Sequence, residues 1–168
     1  MDDAEPAPIQ SRDILANTNP AYCALILRGF SASYLEAAGE GADFSVMFFV
    51  LPLCLSEKYA YSFDGTNKKT GLFTWIHRSP IVSLELSCDV DKTHRFTRAG
   101  LSFALQQKMM SIGHDGRFSV LSEGIRPKQG SRLAIVGGEP LKRSDRLGTW
   151  MGEIKSPSLI FNILGVSV

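Results

Sequence analysis

The sequence has no hydrophobic stretch long enough to cross a membrane as a helix. Its longest uncharged apolar run, Phe44 to Leu55 (FSVMFFVLPLCL), has twelve residues, whereas a spanning helix needs roughly 20. Pro52 lies inside the run and would bend or end a helix near Leu51. The run therefore reads as a buried core segment of a globular domain, or else as a surface that buries itself against a partner protein. Cysteine is scarce. Cys23, Cys54 and Cys88 are an odd set with wide spacing and no CxxC pair, which argues against a disulfide framework and against a zinc site. Cys23 and Cys54 lie among apolar residues and read as core packing. The histidines His77, His94 and His114 are far apart and belong to no HExxH-type ligand set, so no metal is expected. No G-x-x-x-x-G-K-[ST] loop is present, and Gly137-Gly138 has no Lys-Ser after it; the chain is not itself a P-loop nucleotidase. No cofactor and no catalytic residue can be named, although a Cys–His pair that meets only in space stays open.

Also lacking is the basic and then apolar start of an export signal. Met1 to Ser11 reads MDDAEPAPIQS, acidic and Pro-bearing, so a cytoplasmic address with no membrane is expected. Residues 1–18 read as an acidic, flexible segment, and 19–168 as a single globular domain. Hydrophobic residues at 44% and charged residues at 21% are ordinary globular proportions, which points to a packed core rather than disorder. There are no internal repeats and no low-complexity tract.

What is present is a charge asymmetry. Residues 1–57 carry eight acids against two Lys/Arg, whereas 92–146 carry eleven Lys/Arg against four acids. A basic half beside an acidic half fits nucleic acid on one face, complementary protein partners, or simply a solvated surface. The candidate contacts for nucleic acid or an acidic partner are Lys92, Arg95, Arg98, Lys108, Arg117, Arg126 and Lys128.

The element pattern is mainly α with a small β-hairpin. Asn19-Pro20 is a helix start, with Asn as cap and Pro at the first helical position, and Gly39 is the stop. This predicts a helix over Pro20 to Ala38. Asp43 can cap a second helix through the apolar run. Asp64 to Asn67 is a turn, and Thr70 to His77 a short amphipathic helix. Ile81 to Val90 suits helix or strand, with helix preferred. Thr97 to Met110 reads as a separate helix, which puts His94 in a basic loop, Lys92, Arg95 and Arg98 at the helix entry and Lys108 at its end. His114 to Arg117 is a tight turn between Ser111-Ile112 and Phe118 to Leu121, a hairpin with Arg117 at its tip. A helix followed at once by a hairpin is a winged-helix-like order, in which helix and wing meet DNA. Glu123 to Gly138 reads as a loop around a strand at Leu133 to Val136. Leu141 to Ile154 predicts a helix burying Leu147, Trp150, Met151 and Ile154, and Ser156-Pro157 starts a last apolar turn that closes at Gly165.

Four segments carry a resemblance. They are Asn19-Pro20-Ala21-Tyr22-Cys23-Ala24-Leu25, Leu51-Pro52-Leu53, Phe96-Thr97-Arg98-Ala99-Gly100-Leu101, and Gly148-Thr149-Trp150 followed by Ile160 to Val166. In this order the chain resembles the middle components of bacterial three-component ABC ATPase systems, over about Asn19 to Val168. The Leu133 to Pro140 stretch lies outside that pattern. The resemblance implies a non-enzymatic adaptor between an SMC-like ABC ATPase and an effector, often a nuclease, as in Lamassu-type antiphage defence, with DNA reached through the complex. It supplies no catalytic residue to transfer. The reading from another class is a free-standing winged-helix DNA-binding protein or regulator.

Overall fold

The first helix, α1 (Pro20–Ala38), is built by its ends. The Asn19 side chain accepts a hydrogen bond from the Ala21 amide at 2.9 Å, and Pro20 opens the helix where an N–H would have no partner. Gly39 closes it in the left-handed region, φ 75°. The structure is a computed structural model and describes residues 19–122 and 127–166, of which 127–137 by the backbone alone. Residues 1–18, expected as an acidic segment, lie outside the described residues.

After α1 come β1 (Ala42–Asp43), a 3-10 turn (Val46–Phe49), α2 (Val50–Leu55), α3 (Glu57–Ala60), a second 3-10 turn (Tyr61–Phe63) and α4 (Leu72–Arg78). The apolar run is helical, as expected, but in two pieces. Pro52 has no N–H, and the α-helical piece starts at Val50, so the proline falls in its first turn, where it is tolerated. Asp43 belongs to a strand rather than to the helix, and its carboxylate accepts from the Ser45 amide at 2.9 Å. From Val46 to Cys54 all residues but Phe48 are buried, so the run is core.

Next is α5 (Pro80–Gln106), one helix of 27 residues where two were expected. The buried positions Val82, Leu86, Thr97, Gly100, Leu101 and Ala104 form one stripe along its length. Residues 91–96 contain neither Gly nor Pro, and Thr93 turns its hydroxyl back to the Asp89 carbonyl at 2.8 Å. The polar stretch is therefore an outer face of the helix and not a loop. Lys108 stands past the end of α5 in the left-handed region, φ 54°, and is exposed.

The hairpin is present as β2 (Met110–Ile112) and β3 (Arg117–Val120). It takes β1 as a third strand in the order β1-β3-β2, all antiparallel, with Ala42 opposite Phe118 and Met110 opposite Val120. The chain ends with α6 (Pro127–Ile154) and α7 (Pro157–Leu164). The strand expected at Leu133 to Val136 is helix. Of the two adjacent glycines only Gly138 leaves helical geometry (φ 55°, ψ −147°), so α6 is two helical pieces that meet at a kink there, and the second contains the helix expected over Leu141 to Ile154. Pro140 falls in the first turn after that kink, where it removes no donor. In α7 the Ser156 hydroxyl caps the Leu159 amide at 3.4 Å, and Gly165 closes the helix at φ 72°.

α1 lies at the centre and packs on α6 and α5. The α1–α6 contact is close because α6 has no side chain where the backbones meet. A Cβ on Gly148 would stand 2.3 Å from the Phe30 carbonyl oxygen, and one on Gly152 would stand 2.7 Å from that of Tyr34. Gly100 of α5 likewise faces Cys23, with 2.8 Å left for a Cβ. On α6 between Gly148 and Gly152, Trp150 is wholly buried against Phe63 (6.1 Å, stacked) and Trp75 (5.6 Å). Each indole N–H has an acceptor: Ser62 O for Trp75 at 2.9 Å, Asn67 O for Trp150 at 3.0 Å.

Candidate functional site

The exposed side of α5 gathers three of the expected cations at three-residue steps. Lys92, Arg95 and Arg98 are all exposed. The Lys92 ammonium is 3.4 Å from Asp89, and the Arg95 guanidinium lies over the Phe96 ring, 4.6 Å from its centroid. Neither Arg95 nor Arg98 is within 4.0 Å of a carboxylate among the described residues. Nearer its start the same helix is acidic and occupied. Lys58 reaches both Glu85 and Asp89 at 2.5 Å, and the buried Tyr59 hydroxyl donates to Asp89 at 2.6 Å.

Burial alone would raise the Asp89 carboxyl, but the hydrogen bonds from Lys58 and Tyr59 outweigh it and hold the group below its ordinary range. A carboxyl lowered on folding stabilises the native state above its unfolded value, and that contribution is lost as pH falls through the folded value. Asp89→Asn is expected to lower the urea midpoint at neutral pH, with the deficit narrowing below about pH 4. A deficit of the same size at both ends of the titration would show that the charge is not its cause.

The other expected contacts are placed differently. Arg117 is turned back onto the protein: its guanidinium is 3.1 Å from Glu40, 3.7 Å from Asp115 and donates to the Gly41 carbonyl at 3.2 Å. It opens β3 beside Asp43 rather than standing out at a wing tip. Arg126 and the side chain of Lys128 lie outside the described residues.

A second surface was not foreseen. Between α3, the turn that follows it and α6 there is a cavity of about 390 Å³, lined by Glu57, Tyr61, Asp64, Glu139, Arg143 and Arg146 among others. Arg143 is only 9% exposed. Its Nη1 donates to the Cys54 carbonyl at 3.0 Å, and its guanidinium lies 5.9 Å from the Phe63 ring centroid. Arg146 Nη1 donates to Phe63 O and Thr66 Oγ1, each at 3.2 Å. A third surface is apolar: Phe73, Ile76, His77, Asn162 and Ile163 line a shallow groove of about 310 Å³ between α4 and α7. Phe73 is 73% exposed and Leu84 80%.

Among the described residues no group of three His, Cys, Asp or Glu is placed to hold a metal ion. Burial pushes the Cys23 thiol up to about 11 and the Cys54 thiol higher still, so both stay protonated at neutral pH. No described helix is long and apolar enough to cross a membrane.

The model of one protein family, the ABC-three component (ABC-3C) system Middle Component 3, matches residues 10–168. The chain belongs to this family. No curated protein and no solved structure matches it. In this Middle Component 3 chain the four segments that carried the resemblance are fold-holding ones. Asn19-Pro20 starts α1, Leu51 to Leu53 is core, Gly100 and Gly148 are the close helix contacts, and Ile160 and Leu164 anchor α7. The surfaces available to other components lie on α5, the groove and the cavity, and the first two share Arg98, Asn162 and Ile163 with those segments. The cavity had one signal in the sequence. Arg143 precedes Leu147 by four residues and Trp150 by seven, so a cation sits on the buried stripe of α6.

Proposed function

We propose that this chain is a non-enzymatic, cytoplasmic adaptor that couples an SMC-like ABC ATPase to an effector, often a nuclease, in a Lamassu-type antiphage defence complex. The observation that carries the reading is membership of Middle Component 3 along residues 10–168. The surface supports it, since a protein that joins two others needs separate faces, and cationic, apolar and mixed-charge ones lie on different elements. Co-expression with the adjacent ATPase and effector genes, followed by a pull-down on this chain, tests it. Both proteins are expected to co-purify, and deleting this chain is expected to abolish phage protection while the other two are still made. Recovery of this chain alone would count decisively against the adaptor role.

A second reading has its own support. The order α1, β1, α5, β2, β3 with the sheet order β1-β3-β2 is compatible with a winged-helix-like module, and α5 presents Lys92, Arg95 and Arg98 to solvent. A free-standing DNA-binding protein would show salt-sensitive binding by the isolated chain. That binding should disappear in Arg95→Ala/Arg98→Ala/Lys108→Ala, which leaves the tied Arg117 alone; binding that survives would end the wing model.

A further inference from the structure

The cavity beside α6 combines three features that are seldom found together in a structure complete in itself. Its floor holds a guanidinium, Arg143, that is more than nine-tenths buried, and a second, Arg146, one turn on. No carboxylate among the described residues comes within 4.0 Å of either; their hydrogen bonds go to the carbonyls of Cys54 and Phe63 and to the Thr66 hydroxyl. A buried charge that no acid bonds directly is costly, and burial normally comes with a paired acid. The acids that line the cavity are otherwise disposed. Glu139 pairs with Lys142 at 2.7 Å, and that hydrogen bond, together with the field of Arg146 and Arg143, holds its carboxyl below the ordinary range; Glu57 and Asp64 stand exposed and form no ion pair with a described residue. Tyr61 borders the opening and is 83% exposed, more than any other large apolar or aromatic side chain described. Arg and Tyr are the residues that most often anchor protein interfaces.

We propose that this cavity is the docking site for an acidic side chain of a partner protein, an Asp or Glu flanked by Lys or Arg. The carboxylate enters to Arg143 and Arg146 at the floor, and the flanking cations meet Glu57 and Asp64 at the rim. The mixed charge selects the occupant. Phosphate-rich partners such as nucleic acid would have to pass the acidic rim, whereas a single carboxylate with cationic neighbours matches both levels. Tyr61 covers the stem of the entering side chain. The proposal rests on the adaptor reading for the existence of the partner, and it adds where and by what chemistry that partner is held.

The test uses the full chain co-expressed with its ATPase and effector. Arg143→Met removes the floor charge at similar volume, and Glu57→Lys/Asp64→Lys reverses the rim at exposed positions where folding is not at stake. Each is expected to weaken capture of one of the two proteins at least tenfold, while the isolated chain keeps its wild-type circular dichroism. Tyr61→Ala, also at an exposed position, is expected to weaken the same protein and not the other. Wild-type capture by both the rim and the Tyr61 variants overturns the docking site while leaving the adaptor reading intact. Failure of the wild-type chain to capture either protein overturns the adaptor reading, and this partner with it.

Discussion

Trp150→Ala is expected to destabilise the isolated chain by about 3–5 kcal/mol, the usual cost of emptying a buried tryptophan site. Trp150 is fully buried, stacks on Phe63 at 6.1 Å, lies 5.6 Å from Trp75 and donates to the Asn67 carbonyl at 3.0 Å. Its removal leaves a cavity and takes one of two hydrogen bonds from that carbonyl, which keeps the Thr70 amide at 3.0 Å. The loop around Asn67 has no regular structure of its own, so α6 would lose its hold on it. Urea denaturation followed by far-UV circular dichroism measures the loss, and a chain of this length should melt roughly 10 °C or more lower. Phe73→Ala is the comparison, because Phe73 is 73% exposed and surface truncations usually stay within about 0.5 kcal/mol. Equal stability of the two variants would mean that the aromatic triad is not the keystone of this end of the core.

The second large effect comes from adding a methyl rather than removing a ring. Gly148→Ala should gain about 1 kcal/mol in helix propensity, yet its Cβ would stand 2.3 Å from the Phe30 carbonyl oxygen and 2.9 Å from Ser33 Cβ. A backbone oxygen inside α1 cannot rotate aside, so the helices must separate and the contacts along their interface loosen. Overpacking of this kind costs about 1–3 kcal/mol beyond the propensity gain, and a net loss near the top of that range is expected. Gly152→Ala meets the Tyr34 carbonyl at 2.7 Å and should behave alike. The double variant is expected to lose less than the two single losses together, because helices already moved apart by one methyl have room for the other. Strict additivity in denaturation would show that each site relaxes locally and that the helices do not shift as bodies.

These two predictions bear on what the family pattern is for. Gly100, Gly148 and Trp150 read in the sequence as fragments of a resemblance with no chemistry attached. In the structure they set how near α5 and α6 come to α1 and what fills the gap. The segments that carry the resemblance thus hold the packing, and two of them also reach the surface. The cationic face of α5 is a case in point. Arg95 and Arg98 flank the buried Thr97, so one short segment carries both a core position and two solvent-facing charges.

Local chemistry made several elements legible in advance. A cap, a proline and a glycine were enough for both ends of α1 and α7, because these signals act within a few residues. Twelve apolar residues were too few to span a membrane as a helix, because length alone decides that; that Val46 to Cys54 packs inside the domain came from the structure. The hairpin followed from its turn, with Gly116 at φ 75°. Other features depended on what lies across space. Whether residues 91–96 are loop or helix turned on the buried positions on either side of them, Val82 and Leu86 before and Thr97 to Ala104 after, falling on one helix, and the break at Gly138 lies in its backbone dihedrals. Arg117 looked like an open wing tip until Glu40, far away in sequence, was found 3.1 Å from it.

By itself, then, the sequence determined the class of the protein, the ends of α1 and α7, and the lack of any nucleotide-binding loop motif or spanning run. The tertiary structure alone decided which cations are free and which are tied. Lys92, Arg95, Arg98, Arg117 and Arg143 are alike as letters. Arg95 and Arg98 stand in solvent, Lys92 is exposed but paired with Asp89, Arg117 is held by carboxylates, and Arg143 is buried against a carbonyl and an aromatic ring. A charge is defined energetically by what surrounds it, and those surroundings are assembled from segments that only folding brings together.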